Sequence, residues 1–266
     1  MIKIFYFSGT GNSFWSAKKI GQGVGGDYEL INIGDEAQKS EIIIEADAVV
    51  FVFPSYAYGL PIIVRRFAKS AVFKTPYLAA FVTFGTSPGG TLGVLRRILK
   101  KKGIEKMYFG RIPAVENYLA IFGTQKEKKQ KRRVSMQEKA TEEAVRAVIE
   151  KRENKVCTCR VFSAFISRLF SLGVKIFYKS YRVGAHCTGC GVCEKICPVS
   201  AIAMKDGKPL FSNKCEHCQG CIDICPLRAI QFGRVKFGSP GYRHPDVTIA
   251  ELSKQKYTVD RIKIFE

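Results

Sequence analysis

The first 156 residues contain no cysteine, although the chain of 266 residues has ten. Histidine is also rare, with three residues, and the 23 acidic residues are far outnumbered by 43 basic ones. No stretch of 18 apolar residues is free of charge, so no membrane-spanning helix is predicted. The N-terminus lacks a basic segment followed by an apolar run and a cleavage site, so we expect a cytoplasmic rather than a secreted protein.

The late, clustered cysteines favour metal binding over disulfides, because a reducing cytoplasm keeps thiols reduced. The sequence CTGCGVCEKICP at 187–198 is followed by CEHCQGCIDICP at 215–226, so one spacing of four cysteines and a proline occurs twice. Each unit reads C-x2-C-x2-C-x3-C-P, a run typical of two 4Fe-4S clusters. Structural zinc sites instead use two cysteine pairs separated by about 12–20 residues, and a radical-SAM cluster uses three cysteines in another spacing. We therefore predict two 4Fe-4S clusters.

The fourth cysteine of each unit is expected to bind the other cluster, as in bacterial dicluster ferredoxins. The predicted ligands are Cys187, Cys190, Cys193 and Cys225 for one cluster, and Cys215, Cys218, Cys221 and Cys197 for the other. We expect His186 and His217 to lie on the surface or behind these ligands rather than to bind metal. Cys157 and Cys159 match no motif and are interpreted as an incidental pair.

Apolar runs alternate with helical segments in the cysteine-free part of the chain. The predicted strands are 2–7, 28–33, 47–53, 76–84 and 104–112, and the predicted helices are 13–20, 61–72 and 91–102. Strands that alternate with helices indicate a parallel sheet covered by helices on both faces. Two further helices are predicted, at about 134–152 and at 161–178, the second of them amphipathic.

A glycine-rich loop, Ser8-Gly9-Thr10-Gly11-Asn12-Ser13, joins the first strand to the first helix. Backbone N–H groups, a helix N-terminus and hydroxyl groups then surround one point, which suits a phosphate monoester. The loop is not a Walker motif, because no lysine precedes Ser13, and it lacks the third glycine of the dinucleotide fingerprint.

The loop SGTGNS resembles the flavodoxin loop that holds the phosphate of FMN. The resemblance implies an α/β flavodoxin-like doubly wound parallel sheet of order 2-1-3-4-5, with FMN at the switch between the first and third strands. It implies two flavin-ring loops, Pro54, Ser55, Tyr56, Tyr58 and Gly59 after the third strand and Thr83, Phe84 and Gly85 after the fourth. Tyr56 or Tyr58 could stack on the ring. Since the second loop has no carboxylate, we expect a less negative flavin potential than in the acidic flavodoxins.

The whole chain resembles fused proteins in which a flavodoxin-like domain precedes a dicluster ferredoxin. We predict a flavodoxin-like FMN domain at 1–155 (the front domain), a basic, amphipathic helical linker at 156–182, a small α+β ferredoxin domain with two 4Fe-4S clusters at 183–233 (the cluster domain), and a C-terminal surface tail at 234–266.

The function expected from this combination is electron transfer. The protein would relay single electrons between two 4Fe-4S clusters and FMN, with chemistry supplied by the cofactors. Its net charge of +20 favours an acidic redox partner, such as a ferredoxin, a flavodoxin or a reductase. One alternative is a flavin-dependent reductase of a small acceptor such as a quinone. A less favoured alternative is a basic module in which the run KEKKQKRR at 126–133 binds nucleic acid or anionic membrane and the clusters are structural.

Overall fold

The computed structural model describes residues 1–156 and 161–253, so Cys157 and Cys159 lie outside the described residues. The strands of the front domain are β1 (Ile2–Tyr6), β2 (Tyr28–Asn32), β3 (Ile43–Glu45), β4 (Ala48–Pro54), β5 (Val72–Lys74), β6 (Leu78–Phe84) and β7 (Met107–Pro113). Its helices are α1 (Asn12–Val24), α2 (Ile33–Glu36), α3 (Ile62–Ser70), α4 (Thr91–Lys100), α5 (Leu119–Phe122) and α6 (Glu127–Ile149).

Five parallel strands form the central sheet in the order β2-β1-β4-β6-β7. The short strands β3 and β5 pair with each other in a separate parallel sheet, a feature that the sequence did not predict. Without these two, the order is 2-1-3-4-5, so the predicted flavodoxin-like topology is confirmed.

The sheet is buried on both faces because its central strands are apolar at every position. Side chains alternate between the faces, with Phe5 and Phe51 on one side and Ile4 and Val50 on the other. The first face packs against α3 and α4, and the second packs against α1 and α6. Strands covered on both faces are continuously hydrophobic, which is why their positions could be read from the sequence.

Helix α6 is longer than predicted, because the basic run forms its first turns instead of preceding it. Lysine, arginine and glutamine are good helix formers, and Glu127 pairs with Lys131 one turn later at 2.7 Å. Further along, the buried side chains of Gln137 and Thr141 hydrogen-bond Ser16 of α1 at 3.0 and 3.1 Å. The charged start of the helix is therefore exposed while its second half belongs to the core.

The remaining chain contains small elements around the cysteine repeat. These are α7 (Val161–Phe177), a 3-10 turn (Tyr178–Ser180), β8 (Arg182–Val183), α8 (Val192–Lys195), β9 (Ile202–Lys205), β10 (Lys208–Phe211), α9 (Gly220–Asp223), β11 (Ile230–Gln231) and α10 (Ile249–Ser253). Strands β9 and β10 form one antiparallel hairpin, and β8 pairs with β11. The arrangement is the small α+β domain that was predicted. Within the described residues, no helix combines the length and apolarity needed to cross a membrane.

The prediction of a surface tail from residue 234 is wrong for its described part, 234–253. Tyr242, His244 and Leu252 are at most 4% exposed, and all three pack against the front domain or its immediate neighbours. His244 stacks on Trp15 of α1 with ring centroids 4.8 Å apart, and Glu251 pairs with Lys18 at 2.7 Å. The segment looked polar in sequence, but its few large side chains all point inward and tie the end of the chain back to α1.

Candidate functional site

The glycine-rich loop leads directly into the N-terminus of α1, as predicted. Ser8 Oγ accepts the N–H of Gly11 at 3.2 Å, and the hydroxyls of Ser13 and Thr83 lie 2.8 Å apart. No side chain caps the start of α1, and its first turn has no acidic residue. The free N–H groups and the positive end of the helix dipole can therefore accept an anionic group.

The three predicted flavin loops line one cavity at the carboxyl edge of the sheet. The predicted residues on its wall are Ser8, Gly9, Thr10, Asn12, Ser13, Pro54, Ser55, Tyr56, Tyr58, Thr83, Phe84 and Gly85. Gly11 and Gly59 are not on the wall. Gly11 lies against His244 and Val247, and Gly59 lies against Ser167 of α7. Because parallel strands end at the same edge, loops far apart in sequence converge here.

The first ring loop is a tight, strained turn. Tyr56 and Gly59 exchange two backbone hydrogen bonds at 3.0 and 2.9 Å, and the two residues between them have positive φ, 44° at Ala57 and 64° at Tyr58. Non-glycine residues seldom adopt this conformation, so the turn costs on the order of 1–3 kcal/mol per residue and persists only with outside support. The support includes a hydrogen bond from Gly90 N to Tyr58 O at 3.2 Å. The turn presents two tyrosines to the cavity.

The segment after β7 supplies a wall that the sequence did not predict. The additional lining residues are Ala57, Thr86, Ser87, Ala114, Val115, Glu116, Asn117, Tyr118, Ile121, Phe122, Ile166, Phe170, His217 and Cys218. Glu116 touches Gly85, and the guanidinium of Arg133 in α6 donates to the carbonyl oxygen of Gly85. The second ring loop therefore has one charge of each sign beside it, although the loop itself has none.

The eight cysteines of the repeat are free thiols that fall into two groups. Burial raises the pKa of Cys193 to about 11, and the nearby Cys225, Cys190 and Cys187 raise it further. Burial likewise raises the pKa of Cys221, with further contributions from Cys218, Cys215 and Cys197. These are the two predicted ligand sets, each with the fourth cysteine taken from the other repeat. Packing several thiolates so closely is unfavourable without cations between them, so both groups suit iron.

Backbone amide groups point at cysteine sulfurs in both groups. Ala201 N lies 3.2 Å from the sulfur of Cys197, and Ala229 N lies 3.3 Å from that of Cys225. The two bonds are equivalent, because each joins a fourth cysteine to the residue four positions later. N–H donors of this kind stabilise negative charge on thiolate sulfur and on a bound cluster.

The two repeats use the same left-handed backbone positions with different residues. The first repeat has Gly189 and Gly191, both with φ of 71°. The second has His217 and Gln219 at the equivalent positions, with φ of 55° and 59°. Glycine adopts this conformation without strain, whereas histidine and glutamine do not. The second repeat therefore retains two strained residues, and both of them contact the front domain.

His217 connects the two domains through both ring nitrogens. Its Nε2 lies 3.1 Å from the hydroxyl of Tyr118, beside the cavity, and its Nδ1 lies 2.9 Å from the hydroxyl of Tyr181, beside β8. The rings of Phe177 and Phe232 pack on it, with centroids 4.9 and 4.3 Å away. Burial lowers the pKa of His217 to about 4, so the ring is neutral at pH 7. The expectation that it is not on the ligand list but lies behind the ligands agrees with this environment.

Two neighbours of His217 complete the contact. Gln219 Oε1 accepts the N–H of Leu119 at 3.1 Å. The carboxylate of Glu216 accepts the N–H groups of Ile62 and Ile63 at the start of α3, and burial raises its pKa to about 7. The second cysteine loop is thus held to the front domain by three consecutive odd-placed polar contacts on the cavity side, while His186 of the first repeat is exposed.

The closest approach between the domains joins the glycine-rich loop to a cysteine. A Cβ atom on Gly9 would lie 2.8 Å from the Cβ and 3.1 Å from the Sγ of Cys218, so only glycine fits there. Cys218 is itself on the cavity wall. Burial raises the pKa of Tyr56, and the neighbouring Cys218 and Glu216 raise it further, which places this tyrosine beside the same cysteine. One cysteine group therefore borders the cavity directly.

Comparison with known proteins agrees with the geometry of the cysteine repeat. Residues 186–230 match the model of the 4Fe-4S dicluster domain family. Over 39 residues the chain is 44% identical to Ferredoxin-1 of Rhodobacter capsulatus, an alignment that covers 14% of this chain and 60% of the ferredoxin. The chain therefore spans less than two thirds of the length of these curated relatives.

Several solved structures resemble the front domain more distantly. A flavodoxin from the domain Archaea is 18% identical, with 55% of this chain and 98% of that chain covered and a TM-score of 0.34. Rubredoxin oxygen:oxidoreductase from Desulfovibrio gigas is 18% identical, with 55% and 36% covered and a TM-score of 0.35. The Trp repressor binding protein from Bacillus subtilis is 13% identical, with 59% and 100% covered and a TM-score of 0.36.

These structural scores are low, so the fold of the front domain rests on its own strand order. That order, the loops at the carboxyl edge and the family match at residues 186–230 together define the molecule. The chain is a flavodoxin-like α/β domain fused to a 4Fe-4S dicluster domain of the ferredoxin type.

Proposed function

We propose that this protein is an electron-transfer flavo-iron-sulfur protein, which relays single electrons between two 4Fe-4S clusters and FMN. The observation that carries the proposal is the position of Cys218, which belongs to one cysteine group and also lines the cavity formed by the three predicted flavin loops. When bound, the clusters exchange one electron at a time and the flavin exchanges one or two. The chain's own contribution is to hold these groups next to each other and away from water.

The cluster ligands in this proposal are those predicted from the repeat. Cys187, Cys190, Cys193 and Cys225 would hold one cluster, and Cys215, Cys218, Cys221 and Cys197 would hold the other. The mutual effects on thiol pKa support this grouping, as do the equivalent amide-to-sulfur bonds of Cys197 and Cys225. The second set borders the cavity, whereas the first includes the exposed Cys190. Electrons would therefore pass between solvent-side and cavity-side clusters in that order.

FMN would lie in the cavity with its phosphate at the start of α1. The uncapped N–H groups there and the buried hydroxyls of Ser8, Thr10 and Ser13 suit a phosphate dianion. The ring would lie between the two ring loops, against Tyr58, with Tyr56 separating it from the second cysteine group. Phe84 and Tyr118 give further aromatic surface. Gly11 and Gly59 would shape the loops without touching the flavin.

The partner in this proposal is an acidic redox protein, such as a ferredoxin, a flavodoxin or a reductase, in the cytoplasm. The net charge of +20 would steer an acidic partner toward the protein, and the exposed basic start of α6 lies next to the cavity through Arg133. The division into 1–155, 156–182 and 183–233 is part of the same proposal. Helix α7 would then serve as a bracket, because Phe170 packs on both Tyr118 and His217.

The first experiment is to measure the flavin and iron content of protein purified without oxygen. We expect one FMN and about eight irons per chain, and reduction of the clusters followed by reduction of the flavin within the same molecule. Eight irons with no flavin, even after FMN is added, would overturn the flavin part of the proposal. Flavin that is reduced only by collision between molecules, at a rate that rises with protein concentration, would overturn the relay.

A second candidate function is reduction of a small acceptor such as a quinone. The observation that favours it is the cavity rim, where Ile121 and Phe122 are 71% and 51% exposed and form an apolar entrance. Turnover with water-soluble quinones would be compared with turnover with an acidic ferredoxin or flavodoxin. Faster turnover with quinones, lost when Phe122 is replaced by Ser, would support the reductase. Turnover with the protein partner alone would exclude it.

A further inference from the structure

Helix α7 presents a row of large apolar side chains to solvent. Phe165, Leu169, Leu172 and Ile176 are 61%, 54%, 59% and 61% exposed. At 100° per residue these four lie within an arc of about 60°, and they extend for roughly 17 Å along the helix. We call this row the apolar ridge. Single exposed apolar residues are ordinary, but a continuous row of four marks an interaction surface.

The ridge is a second apolar face of a helix that is already packed. The opposite side of α7 holds Ser167 and Val174, which are buried, and the side between them and the ridge holds Phe170 and Phe177, which pack on His217. The ridge therefore contributes nothing to the internal core. Ile166 and Phe170 also line the cavity beside the exposed Ile121 and Phe122, so the ridge helix borders the cavity entrance.

Charges of one sign surround the ridge. Arg168 and Lys175 are exposed and lie on one flank of it, about 60–80° away around the helix. Lys179 is exposed in the turn that follows. Between Glu153 and Glu194 the sequence contains no acidic residue at all. An apolar row with basic residues along its flank is the pattern of helices that lie in the interface of an anionic bilayer, where the basic side chains reach the lipid headgroups.

We propose that the apolar ridge of α7 docks this protein on the surface of an anionic lipid bilayer. The four side chains would enter the headgroup and acyl boundary, while Arg168 and Lys175 pair with lipid phosphates. A ridge on a protruding helix would need a matching groove in a protein partner, whereas a bilayer surface adapts to it. The inference does not depend on the cofactors, since it rests on exposed side chains outside the cavity.

The test is flotation of the anaerobically purified holoprotein with lipid vesicles. Two vesicle types are used, phosphatidylcholine alone and an equal mixture of phosphatidylcholine and phosphatidylglycerol. We expect binding to the anionic mixture only, weakened by salt. The variant L169Q/L172Q should lower the partition coefficient by about tenfold or more, because each side chain loses several methylene groups of apolar contact. The matched control is I43Q/V72Q, which removes two other apolar side chains that are 51% and 53% exposed and adjacent in register on β3 and β5.

Three results would overturn the inference. The first is no binding of the wild-type protein to anionic vesicles at low salt. The second is equal binding of L169Q/L172Q and wild type, which would assign the binding to the basic start of α6 alone. The third is a wild-type dimer in solution that L169Q/L172Q converts to a monomer while vesicle binding is absent, which would make the ridge a contact between two copies. Iron and flavin contents equal to wild type show that each variant is folded.

Discussion

Gly9 of the front domain lies in contact with Cys218 of the cluster domain, so tightly that a Cβ atom at residue 9 would come within 2.8 Å of the Cβ of Cys218 and 2.9 Å of its carbonyl oxygen. The contact joins the loop proposed to hold the flavin phosphate to a proposed cluster ligand. The two cofactor sites therefore share one packed boundary without a gap between them. Anything that widens this boundary should affect both sites.

Replacing Gly9 by Ala tests this boundary. The added methyl group must push the two loops apart, which we expect to destabilise the protein by about 1–3 kcal/mol and to weaken FMN binding. Urea unfolding and titration of the apoprotein with FMN measure the two effects. Gly23→Ala is the matched control, because its methyl group would meet Val145 on α6 at a similar 2.8 Å, away from the cavity. Equal losses of FMN affinity in both variants would contradict the prediction.

The exchange of the fourth cysteine between clusters can be tested with paired alanine variants. Cys197 and Cys218 are proposed to hold the same cluster, so C197A/C218A should retain about four irons per chain, while C197A/C190A should lose nearly all eight. The opposite pattern would mean that each repeat holds its own cluster. Iron content and the electron paramagnetic resonance signal of the reduced protein give the count. The single variants, each retaining about four irons, are the controls.

The sequence was sufficient for the sheet, because strands covered on both faces are continuously apolar and their order follows from the connecting helices. It was also sufficient for three cavity loops, because each loop follows a strand whose end is fixed by the fold. Glu116 and Tyr118 were missed, since they follow β7 in a segment without a motif. His217 and Cys218 could be assigned to the repeat but not to the cavity wall, because that position depends on how two domains pack.

The C-terminal segment shows the same limit in another form. Tyr242 and His244 stand among prolines, glycines and charges, which predicts exposed turns. Their burial depends on Asn12 and Trp15, more than 220 residues away in sequence: Tyr242 donates to Asn12 Oδ1 at 2.8 Å, and His244 N donates to Thr10 O at 2.9 Å. Local composition contains no information about such partners. The segment reinforces the phosphate loop from behind.

Glu116 and Arg133 should shift the flavin potential in opposite directions. Both contact Gly85 in the second ring loop, and a negative charge there disfavours the reduced, more negative flavin. Glu116→Gln should therefore raise the potential and Arg133→Gln should lower it, each by roughly 1 kcal/mol, the scale of one partly screened charge. An anaerobic redox titration followed by flavin absorbance measures both. Glu105→Gln, at the opposite end of β7, is the control and should leave the potential unchanged.

The same titration tests the overall potential expected from the sequence. The loop from Thr83 to Gly90 has no carboxylate, and Arg133 offsets the single carboxylate of Glu116. We therefore expect the flavin to be reduced at a less negative potential than the clusters. A flavin couple as negative as the iron–sulfur couples would contradict this expectation, even if the two substitutions shift it in the predicted directions.

His244 should make stability depend on pH. Burial lowers its pKa to about 4, against the opposing effect of Asp246, so the folded protein binds its proton less readily than the unfolded chain, whose histidine has a pKa of 6.5. Between these two values the unfolded state holds more protons, and stability falls as pH falls. From pH 7.5 to pH 5.5 this contribution decreases by about 1 kcal/mol.

His244→Phe keeps a ring against Trp15 but cannot titrate. Its free energy of unfolding, from urea midpoints measured without oxygen, should decline by about 1 kcal/mol less than that of the wild type between pH 7.5 and pH 5.5. His217, whose pKa is also about 4, remains in both proteins and cancels in the comparison. His186→Phe is the control, because this exposed histidine is expected to leave the slope unchanged. Parallel pH profiles for wild type and His244→Phe would show that the buried ring does not link the C-terminal segment to acid sensitivity.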